Sequence, residues 1–112
     1  EIYTLSLHDA LPILASVFYA PNLTSLVDFC ENATDLVEVP QLDLTNVISM
    51  DGAFQNTGKV ESGSYNLYVT ASTKAIPVQS YNNCFNNCGV GTTSGRAERA
   101  KIPSSWGGTK YV

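Results

Sequence analysis

The sequence predicts an α/β solenoid in which short parallel strands alternate with short helices. Two observations predict it. An apolar triplet spaced i, i+3, i+7 occurs three times, each followed at one fixed offset by an asparagine. After each triplet comes a short β-prone run closed by turn residues. The composition agrees with a turn-rich, displayed architecture: 44% of the 112 residues are apolar, which suffices for a core, but only 14% are charged. An average domain carries about 25% charged residues.

The first expected helix covers Asn22 to Asn32, with Leu23, Leu26 and Cys30 on one face. The second runs from Thr45 to Asn56 with Val47, Met50 and Phe54, and the third from Pro77 to Asn87 with Val78, Tyr81 and Phe85. Residues three and seven apart share a helix face. Thr45 or Asn46 offers a side-chain oxygen to cap the second helix, and Gly58 and Gly89 suit helix C-termini. Helices of about three turns are unstable alone and must pack on a partner.

The expected partners are short strands. Leu36–Val39 ends at Pro40, a second run begins at Val60, and Ala100–Ile102 ends at Pro103. Proline removes a ladder donor and sits where a strand stops. The separation between copies grows from 24 to 31 residues, and the extra length falls around Ser62 to Ala75. Within it, Tyr65–Thr70 alternates Tyr65, Leu67 and Val69 against Asn66, Tyr68 and Thr70, which predicts an inserted β-excursion. Gly91–Gly95 is expected to be a flexible loop, and Trp106 to cap the final apolar layer.

Residues 1–13 stand apart. They lack the basic start and continuous apolar stretch of a secretion signal. They resemble, codon for codon, the conceptual translation of a universal short-read sequencing adapter. This division assigns residues 1–13 to an adapter-derived artefact and residues 14–112 to a solenoid fragment with a C-terminal cap. His8, the sole histidine, falls in the artefact, and without Glu1 and Asp9 the net charge of −4 becomes about −2. On this reading the chain is a fragment of a longer protein.

The segment Leu36 to Asn56 resembles the repeat of BspA-like leucine-rich-repeat surface proteins. The resemblance rests on Pro40, Asp43, Thr45-Asn46-Val47, Ser49-Met50, Phe54 and Asn56. It is looser over residues 77–106 and only positional over 20–33. Ala53, Thr57 and Cys30 depart from the family's usual Met, Cys and Phe. The resemblance implies a leucine-rich-repeat-like solenoid of parallel strands with one helix per repeat. It also implies display on a cell or virion surface, a role in adhesion or ligand binding, and no catalytic residue. The tail Ile102–Gly108 is similar to repeats of gut-bacterial surface proteins and phage tail-associated proteins.

Candidate sites are few. Cys84 and Cys88 form a C-x3-C, but a closed zinc site needs about four ligands and only Cys30 is left to add. The three cysteines read as buried apolar residues. The acid pairs Asp35/Glu38 and Asp43/Asp51 read as turn-forming or solvated, with Asp51 facing outward, rather than as a glycosidase pair. With His8 in the artefact, neither a Ser-His-Asp nor a Cys-His arrangement can be assembled. Asn32, Asn56 and Asn87 read as side chains tying neighbouring turns together, and Val47, Met50, Phe54 and Phe85 as repeat core. Tyr68, with Tyr65, is the best candidate for ligand contact, because exposed aromatics among Asn and Ser make good recognition surfaces.

No basic patch suited to nucleic acid is present, and no apolar run approaches the ~20 residues that span a membrane. The expected function is a non-catalytic adhesion or ligand-binding module of a bacterial surface or phage tail-associated protein. It would use no cofactor and contact a protein or glycan on a host or neighbouring cell. A structural spacer for a distal binding or enzymatic domain is the alternative. A hydrolase fragment lacking its catalytic half is a third and weaker reading.

Overall fold

Asparagine, aspartate and glycine recur four residues apart in this chain, and that spacing decides its backbone. The computed structural model describes residues 23–111. The adapter-like residues 1–13, and the start of the first expected helix, lie outside the described residues. Asp28 and Asn32, Gly52 and Asn56, and Asn83 and Asn87 all have positive φ, between 56 and 66°. A right-handed helix cannot hold a left-handed residue in every turn. Five of these six residues instead take the third place of a tight turn closed by an N–H···O=C bond, as in Phe29 to Leu26, Ala53 to Met50 and Cys84 to Tyr81, and after Asn56 the Thr57 hydroxyl donates to Phe54 O at 2.7 Å. This is the geometry of a type II turn.

The three expected helices at Asn22–Asn32, Thr45–Asn56 and Pro77–Asn87 are therefore chains of turns. Their remaining backbone donors reach sideways. The N–H groups of Leu26, Asp28, Cys30 and Asn32 donate to the carbonyls of Ser49, Asp51, Ala53 and Gln55 at 2.7–2.9 Å. Those of Met50, Gly52, Phe54 and Asn56 donate in turn to Ser80, Asn82, Cys84 and Asn86 at 2.7–2.9 Å. Three turn segments lie side by side in parallel, so buried backbone groups are satisfied without helix or sheet.

The expected strands are not formed either. The contact between Leu36–Val39 and the run near Val60 is a single parallel bridge, Glu38 to Ser62, with Val39 N–H donating to Ser62 O at 3.0 Å. Ser25, Ser49 and Ser80 are linked by isolated parallel bridges, and Pro103 pairs with Lys110 rather than with an earlier run. Among the described residues there are two short α-helices, one 3-10 turn and no strand. This overturns the α/β solenoid of alternating strands and helices. The chain is a small compact globule whose layers are turns.

The first helix, α1 (Ser64–Thr73), occupies the stretch expected to be a β-excursion. Ser64, Leu67 and Ala71 are its buried positions, again spaced i, i+3, i+7. The Tyr65/Leu67/Val69 alternation gives way because that helical stripe seats Leu67 and Ala71 in the core. The second helix, α2 (Thr93–Arg99), begins inside the expected Gly91–Gly95 loop. Thr92 caps it, its Oγ1 accepting from Gly95 N–H at 2.9 Å and donating to Val60 O at 2.7 Å. Gly95 packs so closely on Val60 that a Cβ there would meet the Val60 carbonyl oxygen.

The core runs through all three segments. Val47, Met50, Phe54 and Phe85 are fully buried, with Leu36, Val39, Val60, Leu67 and Ile102. Phe54 and Phe85 stack with centroids 5.8 Å apart and planes 7° apart. Full burial of each such side chain contributes about 1.5–3 kcal/mol. The far end is closed by the 3-10 turn Ser104–Trp106. Trp106 is 5% exposed and accepts from Phe85 N–H at 2.8 Å through its carbonyl. Gly107 follows with φ 93°, where a side chain would strike the backbone of Phe85 and Asn86.

Candidate functional site

Tyr65 and Tyr68 stand one helical turn apart on α1 and are half-buried. Their rings are 6.1 Å apart and tilted by 32°. Tyr68 meets the Trp106 ring edge-on at 5.2 Å. Trp106 in turn lies flat on Tyr81, at 4.1 Å and 3°. The four rings form one continuous row, from the α1 surface through the closing tryptophan to the third turn segment. Offset and edge-to-face contacts of this kind stabilise beyond their buried area. The row is held stiffly because its centre is in the core.

Glu98 fixes the start of α1 against α2. Its carboxylate accepts from Tyr65 N–H at 3.0 Å and from Ser64 Oγ at 3.3 Å. A carboxylate at a helix N-terminus satisfies free donors and opposes the helix dipole. Arg99, on the same helix, donates from Nε to Gly107 O at 2.9 Å and Phe85 O at 3.2 Å, tying α2 to the closing turn. Lys101 places its ammonium 5.3 Å from the Tyr65 ring centroid, within cation–π range.

The asparagines form a row on another face. Asn56 Nδ2 donates to Asn32 Oδ1 at 2.9 Å, and Asn87 Nδ2 to Asn56 Oδ1 at 3.0 Å. Each amide bridges one turn segment to the next, and each residue has the left-handed backbone its turn requires. Asp51 is not simply solvated. It accepts from Ser80 Oγ at 2.7 and 2.9 Å and from Asn82 N–H at 2.8 Å, binding the second segment to the third. Asp43 closes a local turn on Thr45, accepting from Oγ1 at 2.6 Å and N–H at 3.0 Å, which lowers its pKa. Asp35 and Lys59 form an exposed ion pair at 3.5 Å.

Cys30, Cys84 and Cys88 are free and buried. Burial raises all three thiols. Cys88 is pushed to about 11, with a hydrogen bond involving Thr57 and the Arg99 charge pulling partly back. Burial, and after it the neighbouring Cys88, also push Cys30 and Cys84 up. A protonated buried thiol is a small apolar side chain, not a nucleophile. Among the described residues no group of three or more His, Cys, Asp and Glu is arranged to hold a metal ion, and no pocket forms. No helix there is long and apolar enough to cross a membrane.

Of the residues singled out from sequence, Tyr65 and Tyr68 lie together, whereas the asparagines lie elsewhere. Sequence reasoning did not assign Tyr81, Lys101 and Glu98 to this face. The i, i+3, i+7 spacing predicts Tyr81 as core, but it is half-buried against Trp106. Strand alternation over Tyr65–Thr70 sets Tyr65 and Tyr68 on opposite sides, whereas the helical spacing of Ser64–Thr73 brings them together. Comparison with protein-family models, curated proteins and solved structures gives no match.

Proposed function

We propose that this chain is a non-catalytic ligand-binding module displayed on a cell or virion surface. Its contact face is the Tyr65/Tyr68 side of α1. One observation carries the reading: a row of four aromatic rings, anchored in the core at Trp106, leaves two tyrosines half-exposed on one helix face. Aromatic side chains held rigid lose little entropy on binding and give large contact area. The ligand is a protein or glycan of a host or neighbouring cell. Surface display follows from the resemblance to BspA-like surface proteins.

The test is binding of the intact chain to a glycan array and to solubilised cell-surface protein, alongside a Tyr68→Ala variant with unchanged circular dichroism. Saturable binding that drops at least about tenfold in the variant supports the module. Binding no stronger than background in both panels would favour a structural spacer for a distal domain.

A further inference from the structure

Charge is divided sharply along the chain. Between Leu23 and Ser62, Lys59 is the only base beside seven acids. Between Gly63 and Tyr111, Glu98 is the only acid beside five bases. Glu98 is already committed to the α1 N-terminus. All four rings therefore belong to the basic part of the chain, although the whole chain is acidic and Asp51 of the acidic part is bonded to Ser80 and Asn82 on either side of Tyr81.

The bases there divide by what holds them. Lys74 donates to Ile76 O, Arg96 to Val90 O, and Arg99 to Phe85 O and Gly107 O. Lys101 and Lys110 make no side-chain hydrogen bond or ion pair to a described residue, and both are exposed. The closing turn sets the Lys110 backbone against the stretch that follows Lys101, where Lys110 N–H donates to Ile102 O at 2.9 Å and Ser104 N–H donates to Lys110 O at 3.0 Å. Lys101 already leans on Tyr65. An ammonium over a tyrosine ring, with a second exposed lysine on the adjoining closing turn, is equipped for an anion beside a flat apolar surface.

We propose that the ligand of the Tyr65/Tyr68 face is an anionic polysaccharide. The C–H face of a sugar ring packs on Tyr68 and Tyr65, and a carboxylate or sulfate on that sugar or its neighbour pairs with Lys101 and Lys110. This rests on the binding-module reading above and names its ligand class. The rings alone do not distinguish sugars, because every pyranose has an apolar face; the ammoniums supply selectivity for charge. Both parts are needed, since a polyanion without sugar rings gains only the screened surface attraction.

The intact chain is titrated calorimetrically with polygalacturonate, dextran sulfate, neutral dextran and poly-glutamate, at low and high salt. The expected order places polygalacturonate and dextran sulfate at least about tenfold tighter than dextran or poly-glutamate. Lys101→Glu, an exposed change that leaves the core untouched, is expected to remove that tenfold margin and flatten the salt dependence. Tyr65→Ala is expected to weaken both anionic sugars by a similar factor. Equal binding of dextran overturns the anion requirement and leaves the binding module standing. Equal binding of poly-glutamate overturns the sugar requirement. Binding only to a protein on the surface panel also overturns the inference while keeping the module. Binding to nothing overturns both.

Discussion

Substituting Asn56 separates two contributions that this residue makes at once. Its backbone is left-handed, with φ 63°. Its side chain is the middle of the asparagine row, donating to Asn32 at 2.9 Å and accepting from Asn87 at 3.0 Å. A net hydrogen bond contributes about 0.5–1.5 kcal/mol, and solvent access puts these two at the low end, about 1 kcal/mol together. A side chain less tolerant of the left-handed region costs a further 1 kcal/mol or so. Asn56→Ala therefore loses about 2 kcal/mol and Asn56→Gly about 1 kcal/mol, because glycine keeps the turn but not the row. For a domain this size, 1 kcal/mol moves Tm by about 4–8 °C. The alanine variant is expected to melt roughly 10 °C lower and the glycine variant roughly half as far. Thermal unfolding followed by circular dichroism reads both. Equal melting of the two variants would refute the backbone contribution. A glycine variant as stable as the parent would refute the asparagine row.

Two further outcomes follow from the core. Trp106→Ala removes the ring stacked on Tyr81 and exposes the third segment; a loss of about 3–5 kcal/mol is expected in urea unfolding, with Trp106→Phe recovering a large part, and a loss under about 1 kcal/mol would mean that the turn closes the core without its ring. The buried thiols set an alkaline limit. The unfolded thiol ionises near 9.0 and folded Cys88 near about 11, so the folded state binds more protons between them and stability falls as pH rises through that window. Stability measured from neutral pH to about 11 is expected to drop beyond about pH 9, less steeply in Cys88→Ala, and a thiol reagent is expected to label all three cysteines only on unfolding.

The offsets of 24 and 31 residues seen in the sequence recur as the spacing of the asparagine bonds. Apolar triplets fix those offsets because only one alignment superposes Leu23, Leu26 and Cys30 on the later sets. The same triplets do not fix the backbone. A spacing of i, i+3, i+7 buries one side of a helix, and it also buries the inward corners of successive turns, as at Val47, Met50 and Phe54. The deciding signal was present but carried by other residues. Asp28 and Asn32, Gly52 and Asn56, and Asn83 and Asn87 are all types that accept positive φ, and they stand four apart. A helix gains nothing from such residues in each turn, while a chain of turns requires them.

The stretch Ser64–Thr73 fails in the opposite direction, and it is where the site resides. Its residues include Tyr65, Val69, Thr70 and Thr73, which favour strands. Propensity of this kind is worth a few tenths of a kcal/mol per residue, less than seating Leu67 and Ala71 in the core and capping the helix with Glu98. Glu98 lies more than thirty residues away in sequence, so no local pattern announces it. Once the helix forms, Tyr65 and Tyr68 turn to one side, and the closing turn brings Trp106 and Lys101 to them. The candidate binding face is thus a product of long-range packing. It was visible in the sequence only as two tyrosines without a common surface.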